Sequence, residues 1–142
     1  MAIDGGGGGG GPVGISNSFT GAAQALDIYG DFGAAYSGIV PVGNTETTLI
    51  EYKSGNYLLV GEWQGYYYEK GEDEDMRWVV YLNGARIESY ISEQATRGNS
   101  RSQLNLIIPA YTQVRISSQN VEGTDTEQMM GSITGRIYRT SD

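Results

Sequence analysis

Apolar residues in this chain return at every second position instead of every third or fourth. A period of two puts alternate side chains on opposite faces of an extended backbone, which commits the chain to strands that each bury one face. Val114 and Ile116 alternate with Gln113, Arg115 and Ser117, and Ile133 and Ile137 alternate with Ser132, Thr134 and Arg136. By the same pattern Ile87 and Ile91 are expected to face inward, with Arg86, Glu88 and Tyr90 outward. Tyr, Val, Ile and Thr, the residues that suit a pleated surface, are abundant.

Turn signals divide these runs. Asn83-Gly84 is a strong hairpin signal, because a type I′ turn needs positive φ at both central residues. Ser54-Gly55-Asn56 separates 47–52 from 57–63, and Pro109-Ala110-Tyr111 separates 104–108 from 112–117. Gly71 to Asp75 (GEDED) is expected to cap a further hairpin between 57–68 and 76–82. The spacing predicts eight strands near 34–42, 47–52, 56–68, 76–82, 86–92, 103–109, 112–120 and 129–138. The expected fold is all-β: a jelly-roll-like antiparallel β-sandwich. Within 15–33, Thr20 could cap a short helix over 22–26, but the alternation of Ala25, Asp27 and Tyr29 with Leu26 and Ile28 favours an extended segment. Gly61 and Gly65 share a face with Leu59, Trp63 and Tyr67, which leaves gaps that aromatic rings of the facing sheet could cover.

Ahead of the strands runs an uninterrupted series, Gly5, Gly6, Gly7, Gly8, Gly9, Gly10 and Gly11, closed by Pro12. Fixing each such residue costs roughly 1–2 kcal/mol, so ordering the run costs on the order of 10 kcal/mol. One reading is an arm gripped by partner subunits, where bare backbone permits close approach; the other is a flexible tether. The division expected is a Gly-rich arm over 1–19 and a sandwich over 20–142.

The 142 residues contain no cysteine and no histidine. Disulfides, thiolate nucleophiles, Cys/His zinc sites and imidazole bases are therefore excluded. The net charge of −8 opposes contact with a phosphate backbone, so nucleic acid is not an expected partner. No apolar stretch approaches the roughly 20 residues that span a bilayer, and the opening residues carry no secretory pattern. Synthesis in a cytoplasm, with no membrane partner, is the expectation.

Four features bear on chemistry. Glu72 to Asp75 are acidic but lack the spaced ligands and glycine of a calcium loop, and a solvated tip is the expected role. The aromatic series Trp63, Tyr66, Tyr67, Tyr68 and Trp78 must divide between two faces; Trp63, Tyr66 and Tyr68 are the candidates for a partner interface, or for a platform that stacks on sugar rings. Glu51, Glu62 and Glu88 lie on expected strands and could pair as hydrolytic carboxylates, although such pairs arise by chance. The glycine run is not a phosphate-binding loop, since no strand precedes it and no Lys-Ser/Thr follows. No cofactor is expected.

The succession TGAAQALDIYGDFGAAYSG (20–38), TTLIEYKSGNYLLVGEW (47–63), VVYLNG (79–84), IIPAYTQVRISSQN (107–120) and SITGRIY (132–138) resembles small jelly-roll structural proteins of tailed bacteriophages, marine phages especially. The similarity covers about residues 15–142, and C1q/TNF-like trimeric sandwiches share the Asn-Gly hairpin and the Ile-Pro-x-x-Thr feature. The resemblance implies a non-enzymatic virion protein, most directly a decoration or cement protein on the capsid exterior. It implies contacts with the major capsid protein or other virion subunits and a homo-oligomer, a trimer among the options. It brings no catalytic residue. The alternative is a receptor- or carbohydrate-binding module of a fibre or tail.

Overall fold

In the computed structural model, which describes residues 25–68, 75–92 and 101–139, Asn83 and Gly84 both take positive φ, 53° and 83°. The expected type I′ turn thus joins β6 (Met76–Leu82) to β7 (Ala85–Ser92). Around this hairpin the remaining pairs nest. β5 (Tyr57–Tyr67) pairs with β8 (Arg101–Ile108), and β4 (Thr47–Lys53) with β9 (Gln113–Asn120). Both β2 (Phe32–Tyr36) and β3 (Val40–Val42) pair with β10 (Glu127–Arg139), and β1 (Asp27–Tyr29) adds to β2. One long antiparallel ribbon is thereby wrapped into two sheets, β1-β2-β10-β5-β8 with β3 also on β10, and β4-β9-β6-β7. This is an antiparallel jelly-roll sandwich, as the alternation and turns predicted.

Three expectations about its parts are corrected. First, the strand expected over 34–42 is two. Ser37 interrupts it: its N–H donates to the Gly131 carbonyl and its Oγ accepts from the Gly131 N–H, both at 2.9 Å. Second, GEDED does not close a hairpin, because β5 and β6 belong to different sheets and the chain crosses the sandwich between them. Third, Ile87 and Ile91 face outward, 47% and 51% exposed, while Tyr90 faces Trp78. A bulge explains the change of phase. Val80 pairs with Glu88 and Tyr81 with Arg86, so Ile87 is the extra residue on β7. Residues 71–74, the glycine run with Pro12, and most of the 22–26 segment weighed as a helix lie outside the described residues; β1 is extended, as expected.

Two crossings between the sheets meet at one end. The Ser54 N–H donates to the Thr112 carbonyl at 2.9 Å, its Oγ accepts from the Thr112 N–H at 2.8 Å, and the same hydroxyl donates to the Pro109 carbonyl at 2.9 Å. A single serine thus satisfies backbone groups that the crossings would otherwise bury unpaired.

The core is built on two tryptophans, one from each sheet. Trp63 on β5 and Trp78 on β6 meet edge to face at 5.5 Å, and the Trp63 Nε1–H donates to the Tyr90 hydroxyl at 2.8 Å. Both indoles have no solvent exposure. They fit because glycine lies beneath each: a Cβ at Gly65 would sit 2.7 Å from the Trp78 ring, and one at Gly131 would sit 2.1 Å from the Trp63 ring. The ring expected over Gly65 is therefore Trp78 of the facing sheet. Gly61 serves a different end, the close approach of β5 to β10.

Among the described residues the Tyr52 hydroxyl is enclosed with no hydrogen-bond partner, and burial, with Tyr57 beside it, pushes its phenol far above the ordinary range. A stranded buried hydroxyl costs about 1–3 kcal/mol. Tyr52→Phe is accordingly expected to leave stability unchanged or raise it by about 1 kcal/mol, read as a higher urea midpoint at constant m. A lower midpoint would show that the hydroxyl is satisfied.

Candidate interaction surface

Strand registers bring distant residues into rows on the outer face of the six-stranded sheet. One row takes a single residue from each of five strands: Tyr29, Phe32, Arg136, Val60 and Ile107. At the spacing of neighbouring strands it is about 20 Å long. Its apolar members are exposed, Tyr29 at 67%, Phe32 at 56%, Val60 at 40% and Ile107 at 61%, and Tyr138 beside it is half exposed. Arg136 lies over the rings of Phe32 and Tyr138, with its guanidinium carbon 5.5 and 5.9 Å from their centroids, and 3.9 Å from Asp31. That ion pair is exposed and weak, and both rings lie within the range of a cation–π contact with the guanidinium.

The adjoining rows are polar. Thr134, Glu62 and Asn105 align, then Tyr36, Ser132, Gln64 and Gln103. Glu62 accepts from the Gln64 amide at 2.9 Å with one oxygen and from the Gln103 amide at 2.7 Å with the other, and the Tyr66 hydroxyl donates to Gln64 at 3.1 Å. With both oxygens engaged, Glu62 is an organised surface carboxylate. An apolar stripe edged by pre-oriented polar groups has the anatomy of a protein interface, with aromatic and arginine side chains at its centre.

The residues singled out from sequence divide. Trp63 is enclosed in the core and has no surface to offer a partner, which removes it from the expected set; its position beside Leu59 and Gly65 on the inward face is the reason. The sugar-stacking platform of Trp63, Tyr66 and Tyr68 does not form. Tyr66 lies on the outer face near the polar rows, and Tyr68, 52% exposed, follows the end of β5. Gly5 to Gly11 and Pro12 lie outside the described residues. The carboxylates weighed as a hydrolytic pair do not meet: Glu62 is on the outer face of one sheet, Glu51 is on the outer face of the other, and Glu88 lies on the edge strand β7. Asp75, at the end of the acidic run, donates its N–H to Glu122 at 2.7 Å. Among the described residues no group of three or more acidic side chains could hold a metal ion.

On the outer face of the four-stranded sheet the segment before β4 packs on β9 and β6. Glu46 accepts from the hydroxyls of Ser117 and Tyr81, Arg115 lies 3.9 Å away and stacks on the Tyr81 ring, and the Gln119 amide donates to the Asn44 carbonyl at 3.0 Å. Burial pushes the Glu46 carboxyl up, but the two hydroxyls and the charges of Arg115 and Arg86 outweigh it and hold the group below its ordinary value. A depressed carboxylate stabilises the fold above its unfolded pKa and loses that contribution as pH falls through the folded one. Wild type should therefore lose stability on acidification below about pH 4.5 more steeply than Glu46→Gln. Urea midpoints from pH 7 to 3 measure this, and parallel curves would refute it.

No family model matches the chain, and no curated protein matches it. Among solved structures it is similar to the crystal structure of the infectious bursal disease virus VP2 subviral particle, at 12% identity and a TM-score of 0.48. The match covers 89% of this chain and 37% of that one, so this chain spans little more than a third of that chain's length.

Proposed function

We propose that the chain is a non-enzymatic structural protein of a phage virion, a decoration or cement protein that binds the capsid exterior and stabilises it. The observation that carries this reading is the row from Tyr29 to Ile107, an exposed apolar stripe on the outer face of the six-stranded sheet. Exposed apolar patches of this kind mark interaction sites in soluble proteins. The resemblance to phage jelly-roll proteins supplies the setting, and the want of cysteine and histidine removes the commonest nucleophiles and bases. In this reading the sandwich sits on the major capsid protein through the row, residues 1–19 contact neighbouring subunits, and many copies assemble as a homo-oligomer. The acidic charge keeps decorated particles apart.

Phe32→Asp and Ile107→Asp put a charge into the stripe at exposed positions, so folding should be preserved within about 0.5 kcal/mol. Particles assembled with either variant should carry at most a tenth of the normal number of copies and lose their contents at lower temperature. Full occupancy with the row disrupted would overturn the reading.

A further inference from the structure

We propose that two copies of this chain join edge to edge through β7, antiparallel about a two-fold axis at Ser89, so that their four-stranded sheets continue into one another. The inference rests on the multi-copy part of the reading above and supplies the contact between copies, on the sheet that does not carry the row.

β7 is the last strand of its sheet and, among the described residues, pairs only with β6. One side of its backbone therefore presents N–H and C=O groups as a template for a further strand. The other sheet edges are less suited to this. β1 is three residues long, β4 ends in exposed Glu51 and Lys53, and β8 supplies Ile107 to the row. β7 runs for eight residues with neither lysine nor proline, and 85–89 and Ile91 are all exposed. Ile87 and Ile91 share the outward face, with Ser89 between them by alternation.

Symmetry and register select a second copy as the partner. A two-fold axis normal to the sheet keeps outer face beside outer face, and a one-residue slip would exchange the faces, so the axis passes through a residue and not between two. With the axis at Ser89, Ile87 lies opposite Ile91 of the second copy, Ile91 lies opposite its Ile87, and the small Ser89 meets itself. Glu88 then faces Tyr90, and no carboxylate meets another. With the axis at Glu88 two carboxylates oppose each other and Ile87 meets Ser89. At Ile87 the axis sets Ile91 against Asn83 in the turn, and at Tyr90 it sets Ile91 against Ser89. Only the Ser89 axis matches both isoleucines with isoleucines.

The bulge does not obstruct this pairing. It sits at the hairpin end, between Arg86 and Glu88, and from Glu88 to Ser92 the strand is regular against β6. Ile87, as the extra residue, has no opposite number on β6, which leaves it to the second copy. β7 carries one cation and one acid, so the contact adds no net charge between copies that each bear −8. A single strand pair is a small interface, below about 1,200 Å² in total, so the association is weak in dilute solution and grows where copies are concentrated.

The absence of native cysteine makes the test direct. Opposed residues of an antiparallel pair have Cα atoms about 4.5–5.5 Å apart, within reach of a disulfide. Under mild oxidation of the full chain, Ser89→Cys should form covalent dimers roughly tenfold faster than Glu51→Cys, an exposed site on the edge strand β4. An equal mixture of Ile87→Cys and Ile91→Cys, one of them 15N-labelled, should give mixed dimers well beyond the statistical share. Ile91→Lys added to Ser89→Cys should remove the rate advantage, with unchanged melting showing that the fold is intact. Ser89→Cys dimerising no faster than Glu51→Cys, mixed dimers at the statistical share, or indifference to Ile91→Lys would each overturn the inference. The readout needs no particle: full occupancy by Phe32→Asp with the β7 cross-link intact would defeat the capsid reading alone.

Discussion

Gly61→Ala should unfold the sandwich or leave it at least about 3 kcal/mol less stable. A Cβ on Gly61 would lie 2.0 Å from the Thr134 carbonyl oxygen and 2.6 Å from the Gly135 Cα. These are backbone atoms of β10, which cannot shift alone, because β10 is paired with β5 from Met129 to Arg139 and with β2 and β3 on its other side. Gly135→Ala should be similarly severe, since its Cβ would meet the Val60 carbonyl at 2.6 Å. Gly43→Ala is the control: its Cβ meets only the Thr126 hydroxyl at 3.6 Å, so stability should change by less than about 1 kcal/mol. Chemical denaturation of the three variants decides the matter, and a mild Gly61→Ala would show that β5 and β10 can separate locally.

Trp63→Ala should cost about 3–5 kcal/mol, the range for emptying a fully enclosed aromatic site. The loss has three parts: the buried indole, its edge contact with Trp78, and the hydrogen bond to Tyr90 that joins β5 to β7 across the sandwich. The same ring forbids a side chain at position 131, where a Cβ would stand 2.1 Å from it. Gly131→Ala should therefore be strongly destabilising alone and much less so beside Trp63→Leu. A double-mutant cycle would read this as a coupling of at least about 1 kcal/mol. Additive costs would mean that the glycine is required by backbone pairing and not by the ring.

These glycines also show what could be read without coordinates. Gly65 was placed by alternation on the face of Leu59 and Trp63, and the prediction of a ring from the opposite sheet follows from the gap alone. The Asn83-Gly84 hairpin was legible because a type I′ turn is a local matter of φ. Alternation in β9 and β10 was legible because the inward and outward residues differ in kind, Val114 and Ile116 against Gln113 and Arg115. In β7 the same rule failed, since one bulged residue reverses the phase and nothing in ARIESYIS marks it. The link from β5 to β6 is not legible in the sequence, because an acidic connection of that length can close a hairpin or cross between sheets, and only the partners of each strand distinguish the two.

The candidate surface was the least legible part. It gathers one residue from each of five strands between Tyr29 and Arg136, which no local window contains. A faint signal existed. Val60 stands between inward Leu59 and Gly61, and Ile107 between inward Leu106 and Ile108, so both are apolar at positions that alternation assigns to solvent. The neighbouring aromatics are the more conspicuous signal, but the parity that places Trp63 with Leu59 puts its ring on the inward face.

The nested pairing sets a timetable for biosynthesis. The β6–β7 hairpin can close as soon as it leaves the ribosome, whereas the middle of the larger sheet is β10, the last of the described strands to be made. Until it emerges, β5 and β2 each lack a neighbour, and the pairings that complete the sheet join residues far apart in sequence, which makes them slow to form. A nascent chain stalled before residue 127 would thus carry unpaired strand edges on both sides of an empty slot, and the sandwich shuts only when β10 fills it.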